Sequence, residues 1–96
     1  VILLLISGVN LPGVKRLSEE LKQTLAGANP DKAFEILGPA PAPIEKVRRK
    51  YRYRIMLKTQ KVFETLRILE KTLPQNKFDS KQLVRVAVDV DPADLL

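Results

Sequence analysis

Ninety-six residues, 45 % of them hydrophobic and 29 % charged, make one small globular domain and not a disordered tail. The absence of Cys and His removes disulfides, the commonest zinc ligands and the side chain best suited to proton transfer near neutral pH. The net charge of +6 is concentrated: residues 46–61 hold eight basic and no acidic side chains, while 1–45 hold four basic and five acidic and 62–96 hold five and six. Clustered like charge implies an anionic partner that neutralises it.

The chain opens on Val1 to Ile6, a continuous apolar run of the kind buried on both faces of a sheet. The run is far short of the roughly 20 residues that span a bilayer and has no basic flank of a signal peptide, so no membrane partner is expected. It starts without Met, and the expectation is a single domain cut from a longer protein. Gly8, Asn10 and Pro12 break the strand. Val14, Leu17, Leu21 and Leu25 then recur at helical spacing, predicting an amphipathic helix from Pro12 to Ala26 with Gly27 at its end. After a loop at Gly27-Ala28-Asn29-Pro30, Ala33 to Leu37 is a short strand candidate.

Gly38-Pro39-Ala40-Pro41-Ala42-Pro43 is excluded from a helix or a central strand, because alternate prolines remove donors and hold the preceding residues extended. A stiff connector is expected there. From Lys50 to Lys58 the pattern alternates: Tyr51, Tyr53, Ile55 and Leu57 share one face, and Lys50, Arg52, Arg54, Met56 and Lys58 share the other. Thr59 is positioned as the N-cap of a second helix whose stripe is Val62, Leu66, Leu69 and Leu73, ended by Pro74. Leu83 to Val90 alternates again, with Val84, Val86, Val88 and Val90 inward and Arg85 and Asp89 outward. Asp91-Pro92 closes it and caps a last turn through Leu95.

The order βαββαβ predicts an α+β fold, a two-layer ferredoxin-like sandwich with four strands and both helices on one face. In that topology the first strand is central, so its second apolar side falls on the uncovered sheet face. Leaving Leu or Ile in water forgoes about 1.5–3 kcal/mol each. The open face is therefore expected to dock on another domain or chain.

Three ordered segments resemble the C-terminal domain of primosomal protein N prime, the superfamily 2 helicase of bacterial replication restart: Leu37-Gly38-Pro39-Ala40-Pro41-Ala42-Pro43, then Tyr51-Arg52-Tyr53-Arg54 leading into an apolar strand, and Val88-Asp89-Val90-Asp91-Pro92. The resemblance covers most of residues 33–96; residues 1–32 fit by pattern. It implies the βαββαβ fold of a small-subunit ribosomal protein and a cytoplasmic accessory domain that docks on the helicase core. The implied partners are single-stranded or forked DNA and the acidic tail of single-stranded-DNA-binding protein. ATP and zinc would belong to the remainder of the parent helicase, leaving no cofactor and no catalytic residue in this piece. Lys61 is the nearest match to a basic residue that serves the acidic-tail pocket, with Arg54 as a second contact. Arg48-Arg49-Lys50 departs from the glycine many members carry there.

Read from the residues, Arg48, Arg49, Lys50, Arg52, Arg54 and Lys58 are the candidate phosphate contacts. Tyr51 and Tyr53 are either base-stacking platforms or core residues, and their alternation with the arginines points them away from the basic face. Asp89, Asp91 and Asp94 could form a metal or acid-base cluster, but a strand end with an Asp-Pro turn accounts for them, and no metal is assigned. No G-x-x-x-x-G-K-[ST] loop is present for ATP. The alternatives are a stand-alone RNA-binding or ribosomal-type protein, which a basic loop also suits, and a ligand-sensing regulatory domain, for which Gly13 is slight support. An acylphosphatase-like enzyme ranks last, since Ser7-Gly8-Val9-Asn10-Leu11 offers one glycine and no Arg for an anion loop.

Overall fold

The computed structural model describes residues 1–29, 32–47, 49–73, 78–79 and 84–91. Arg48, Pro74, Leu83 and the expected last turn with Asp94 lie outside the described residues. Strand β1 (Ile2–Gly8) pairs antiparallel with β3 (Lys50–Lys58) on one side and with β5 (Val84–Val90) on the other. Strand β2 (Glu35–Val47) flanks β3, and a two-residue β4 (Phe78–Asp79) flanks β5, giving the sheet order β2-β3-β1-β5-β4. With β4 as an added edge, this is the expected βαββαβ arrangement, an α+β fold with β1 and β3 central.

The central position of β1 explains its composition. Ile2, Leu4 and Ile6 are fully buried and meet Ile55, Leu57, Val84 and Val86 in one core with the helices. Each such side chain contributes about 1.5–3 kcal/mol through burial. Helix α1 (Leu11–Gly27) starts where Asn10 accepts a hydrogen bond from the Gly13 N–H at 3.3 Å, and Pro12 sits in the first turn, where no intrahelical donor is missed. Its buried stripe is Val14, Ser18, Leu21 and Leu25, with Leu17 at the margin. Ser18 is tolerated there because its hydroxyl donates to the Val14 carbonyl at 2.7 Å.

Helix α2 (Val62–Thr72) buries Leu69, together with Leu73 just beyond its end, and Thr65, while Val62 and Leu66 are half-buried. Thr59 is not its N-cap: Lys61 occupies that position without a side-chain cap bond. The Thr59 hydroxyl instead donates to the Ala33 carbonyl at 2.7 Å and accepts from the Lys61 N–H at 2.8 Å, tying the helix entry to the segment before β2.

The proline-rich segment is a second departure. It continues β2 as an edge strand, with register shifts between Leu37 and Ala40 and between Pro41 and Lys46. An edge tolerates missing donors, so the exclusion from a central strand holds, but the segment pairs with β3 and is no free connector. Gly38 makes the first irregularity possible: its φ is +101°, and a Cβ there would lie 2.8 Å from the Arg54 carbonyl oxygen.

Candidate nucleic-acid interface

Directly paired residues of neighbouring strands share a face, so the pairing defines what the helix-free side of the sheet displays. Ser7 has Arg52 of β3 on one side and Arg85 of β5 on the other. The next row is Ala40, Arg54, Leu5 and Ala87, and the one after is Leu37, Met56, Leu3 and Asp89. Lys50, at the start of β3, and Arg49, in the preceding turn with φ of +65°, are exposed beside the first of these rows. The face is thus graded, with guanidinium groups toward the β2–β3 turn and aliphatic groups toward the middle.

One sequence expectation about this face changes in detail, and another holds. Leu3 is only 7 % exposed and Leu5 is half-buried. The stems of Met56 and Arg54, across from and diagonal to Leu3, are long enough to lie over it. The apolar surface that a docked partner would have to cover is smaller than the composition of β1 implied. Tyr53 is buried in the helix-side core, and Tyr51 packs against that core, so neither ring lies on the basic face.

The other end of β3 borders a cleft of about 630 Å³ lined by Val1, Lys32, Ala33, Phe34, Glu35 and the run Lys58-Thr59-Gln60-Lys61. Ala33 and Phe34 are buried at its floor, and three lysines against one glutamate make its rim cationic. The site is held by side chains that the sequence reading passed over. Asn29 accepts from the Ala33 N–H and donates to the Phe34 carbonyl, both at 2.7 Å. Thr65, fully buried, places its hydroxyl 2.9 Å from the Lys61 carbonyl and 3.1 Å from Thr59 Oγ1.

Lys58 and Lys61 therefore come together, and Lys32 joins them. Arg54, four residues along the strand from Lys58, is roughly 13 Å away in an extended chain and is not part of this lining. Asp91 is engaged elsewhere: its carboxylate accepts from the Val1 nitrogen at 2.7 Å and its N–H donates to the Val1 carbonyl at 2.7 Å, closing the end of the β1–β5 pair.

The family model of the primosomal protein N C-terminal domain matches residues 1–93 of the 96. The chain belongs to this family. Membership gives the primosomal domain a role in replication restart. Comparison with curated proteins yields no match. No helix among the described residues of the primosomal domain is long and apolar enough to cross a membrane.

Proposed function

We propose that this domain is a non-catalytic accessory of the replication-restart helicase, holding single-stranded or forked DNA on its open sheet face and the acidic tail of single-stranded-DNA-binding protein in its lysine-rimmed cleft. The observation that carries the reading is the segregation of charge within one fold. Arginines occupy the helix-free face, lysines ring a cleft with an apolar floor at the far end of β3, and the two lie at opposite ends of one strand. Guanidinium groups suit phosphates, which they engage bidentately. A cleft with a buried Phe34 floor and a cationic rim suits a peptide that ends in an apolar residue and carries carboxylates. ATP turnover and zinc binding fall to the remainder of the parent, on which the aliphatic rows of the sheet would dock, in the bacterial cytoplasm.

The experiment titrates the domain into a fluorescent single-stranded oligonucleotide and, separately, into a fluorescent acidic peptide with an apolar C-terminus. Lys61→Ala is expected to weaken the peptide by about 2- to 5-fold, the range of one partly solvated ion pair, and to leave DNA affinity unchanged. Arg52→Ala with Arg54→Ala is expected to do the reverse. If each substitution lowers both affinities equally, the two surfaces are not separate sites and the proposal fails.

A further inference from the structure

The sequence places the positive charge along β3, which suggests a nucleic-acid strand running parallel to that strand. The pairing gives a different direction. Arg52 and Arg85 flank Ser7 in one row across β3, β1 and β5, and Arg85 comes from a part of the chain whose own net charge is negative. With strands about 4.8 Å apart, the two guanidinium-bearing Cα atoms stand roughly 10 Å from each other across a small hydroxyl residue. Arg54 lies on the same face one row below, next to Leu5. The one acidic residue among these paired rows is Asp89, two rows from Ser7 and opposite Leu3.

We propose that Arg52, Ser7 and Arg85 form a phosphate-binding row that carries single-stranded nucleic acid across the sheet, from the β2–β3 turn toward β5, and that Arg85 is a DNA contact equal in weight to Arg52. The inference rests on the DNA-binding reading above and names the path of the strand on that site. Arg52, Arg54 and Arg85 each take part in an interaction within the domain. A guanidinium has five donors in a fixed fork, so a neighbour on one edge leaves the remaining edge able to take a phosphate. Ser7 matters through its size as well as its hydroxyl. A long side chain at this central position would fill the floor between the two arginines, whereas serine leaves room for a phosphate to approach both and offers it one more donor.

The test compares Arg85→Ala, Arg85→Lys and Arg67→Ala with the unaltered domain, by fluorescence anisotropy on a labelled oligothymidylate over a series of salt concentrations. Arg67 is exposed on α2, on the other side of the sheet, and its substitution makes the same change in net charge. Arg85→Ala is expected to reduce the log-log salt slope by roughly 0.7, the value for one phosphate contact to a single strand. Arg85→Lys should restore most of the slope, and Arg67→Ala should leave it unchanged. Equal slopes for Arg85→Ala and Arg67→Ala, with the unaltered domain binding, would overturn the row while leaving DNA binding on β3 standing. No binding by the unaltered domain at low salt would overturn the DNA-binding reading itself and the row with it. Binding of an acidic peptide serves as the second readout: it should be indifferent to Arg85→Ala, and a loss there would assign Arg85 to the protein partner instead.

Discussion

Gly38 gives the most demanding test of the fold that supports the basic face. It lies in β2 at the register shift between Leu37 and Ala40, opposite the stretch of β3 that carries Arg54. Its φ is +101°, and a Cβ would approach the Arg54 carbonyl oxygen to 2.8 Å and the Ala40 nitrogen to 3.2 Å. Both contacts are with backbone, so no side-chain rotation relieves them. A non-glycine residue held at such a φ costs about 1–3 kcal/mol. With the contact added, Gly38→Ala is expected near the upper part of that range, and a domain of this size loses about 4–8 °C per kcal/mol. The melting temperature followed by circular dichroism should fall by about 10–20 °C. Gly27→Ala is the matched control, because an added Cβ there meets nothing within 4 Å at the last turn of α1. It should leave the melting temperature unchanged or raise it by a few degrees, since alanine is the better helix residue by roughly 0.5–1 kcal/mol. A Gly38→Ala domain melting within about 2 °C of the parent would show that β2 leaves β3 freely at this point, and the edge-strand account would be wrong.

Further outcomes are expected from other parts of the molecule. Tyr53→Leu should leave single-stranded DNA affinity unaltered in the folded domain, because the ring faces the helices; loss of a stacking platform would cost at least about 5-fold. Thr65→Val should lower stability by about 1 kcal/mol in urea without a change in the slope of the transition, since it deletes the hydroxyl that donates to the Lys61 carbonyl and approaches Thr59 Oγ1, and leaves the Thr59 hydroxyl its bonds to Ala33 and Lys61. Leu4→Ala, at the centre of the central strand, should cost about 2–5 kcal/mol, enough to unfold much of a domain this small, as a lost unfolding transition would show.

The alternation of β3 was fully legible, because one strand face meets the helices and the other meets water, and nothing else forces Tyr-Arg-Tyr-Arg to order itself that way. Helix α1 was legible for the same reason, although Ser18 replaced Leu17 at the middle of its buried stripe: a hydroxyl that can bond the Val14 carbonyl behaves as a small core residue. The proline segment was misjudged because proline rules are local. They forbid a central strand but do not say that an edge is available, and only the sheet order reveals that β2 lies at one. Thr59 had the chemistry of a cap, yet the Ala33 carbonyl, 26 residues earlier, took its hydroxyl. Arg85 was placed on the outward face of its strand but could not be joined to Arg52, since that neighbourhood depends on β1 lying between β3 and β5. Lys61 and Lys58 were legible as basic residues; the third rim lysine, Lys32, and the Asn29 bonds that hold its segment were not, because a loop gives no period to read.

The claim on which the functional account rests is that the helix-free face neutralises nucleic-acid phosphates. The most direct measurement is the salt dependence of single-stranded DNA affinity for the domain and for a variant carrying Lys50→Ala, Arg52→Ala and Arg54→Ala. If Lys50, Arg52, Arg54 and Arg85 each neutralise a phosphate, the log-log slope should be near −3 for the parent and about −0.7 for the variant, at roughly 0.7 per contact. Identical slopes for the two proteins, or no binding by the parent at low salt, would contradict the claim and leave the arginine face as a surface for protein.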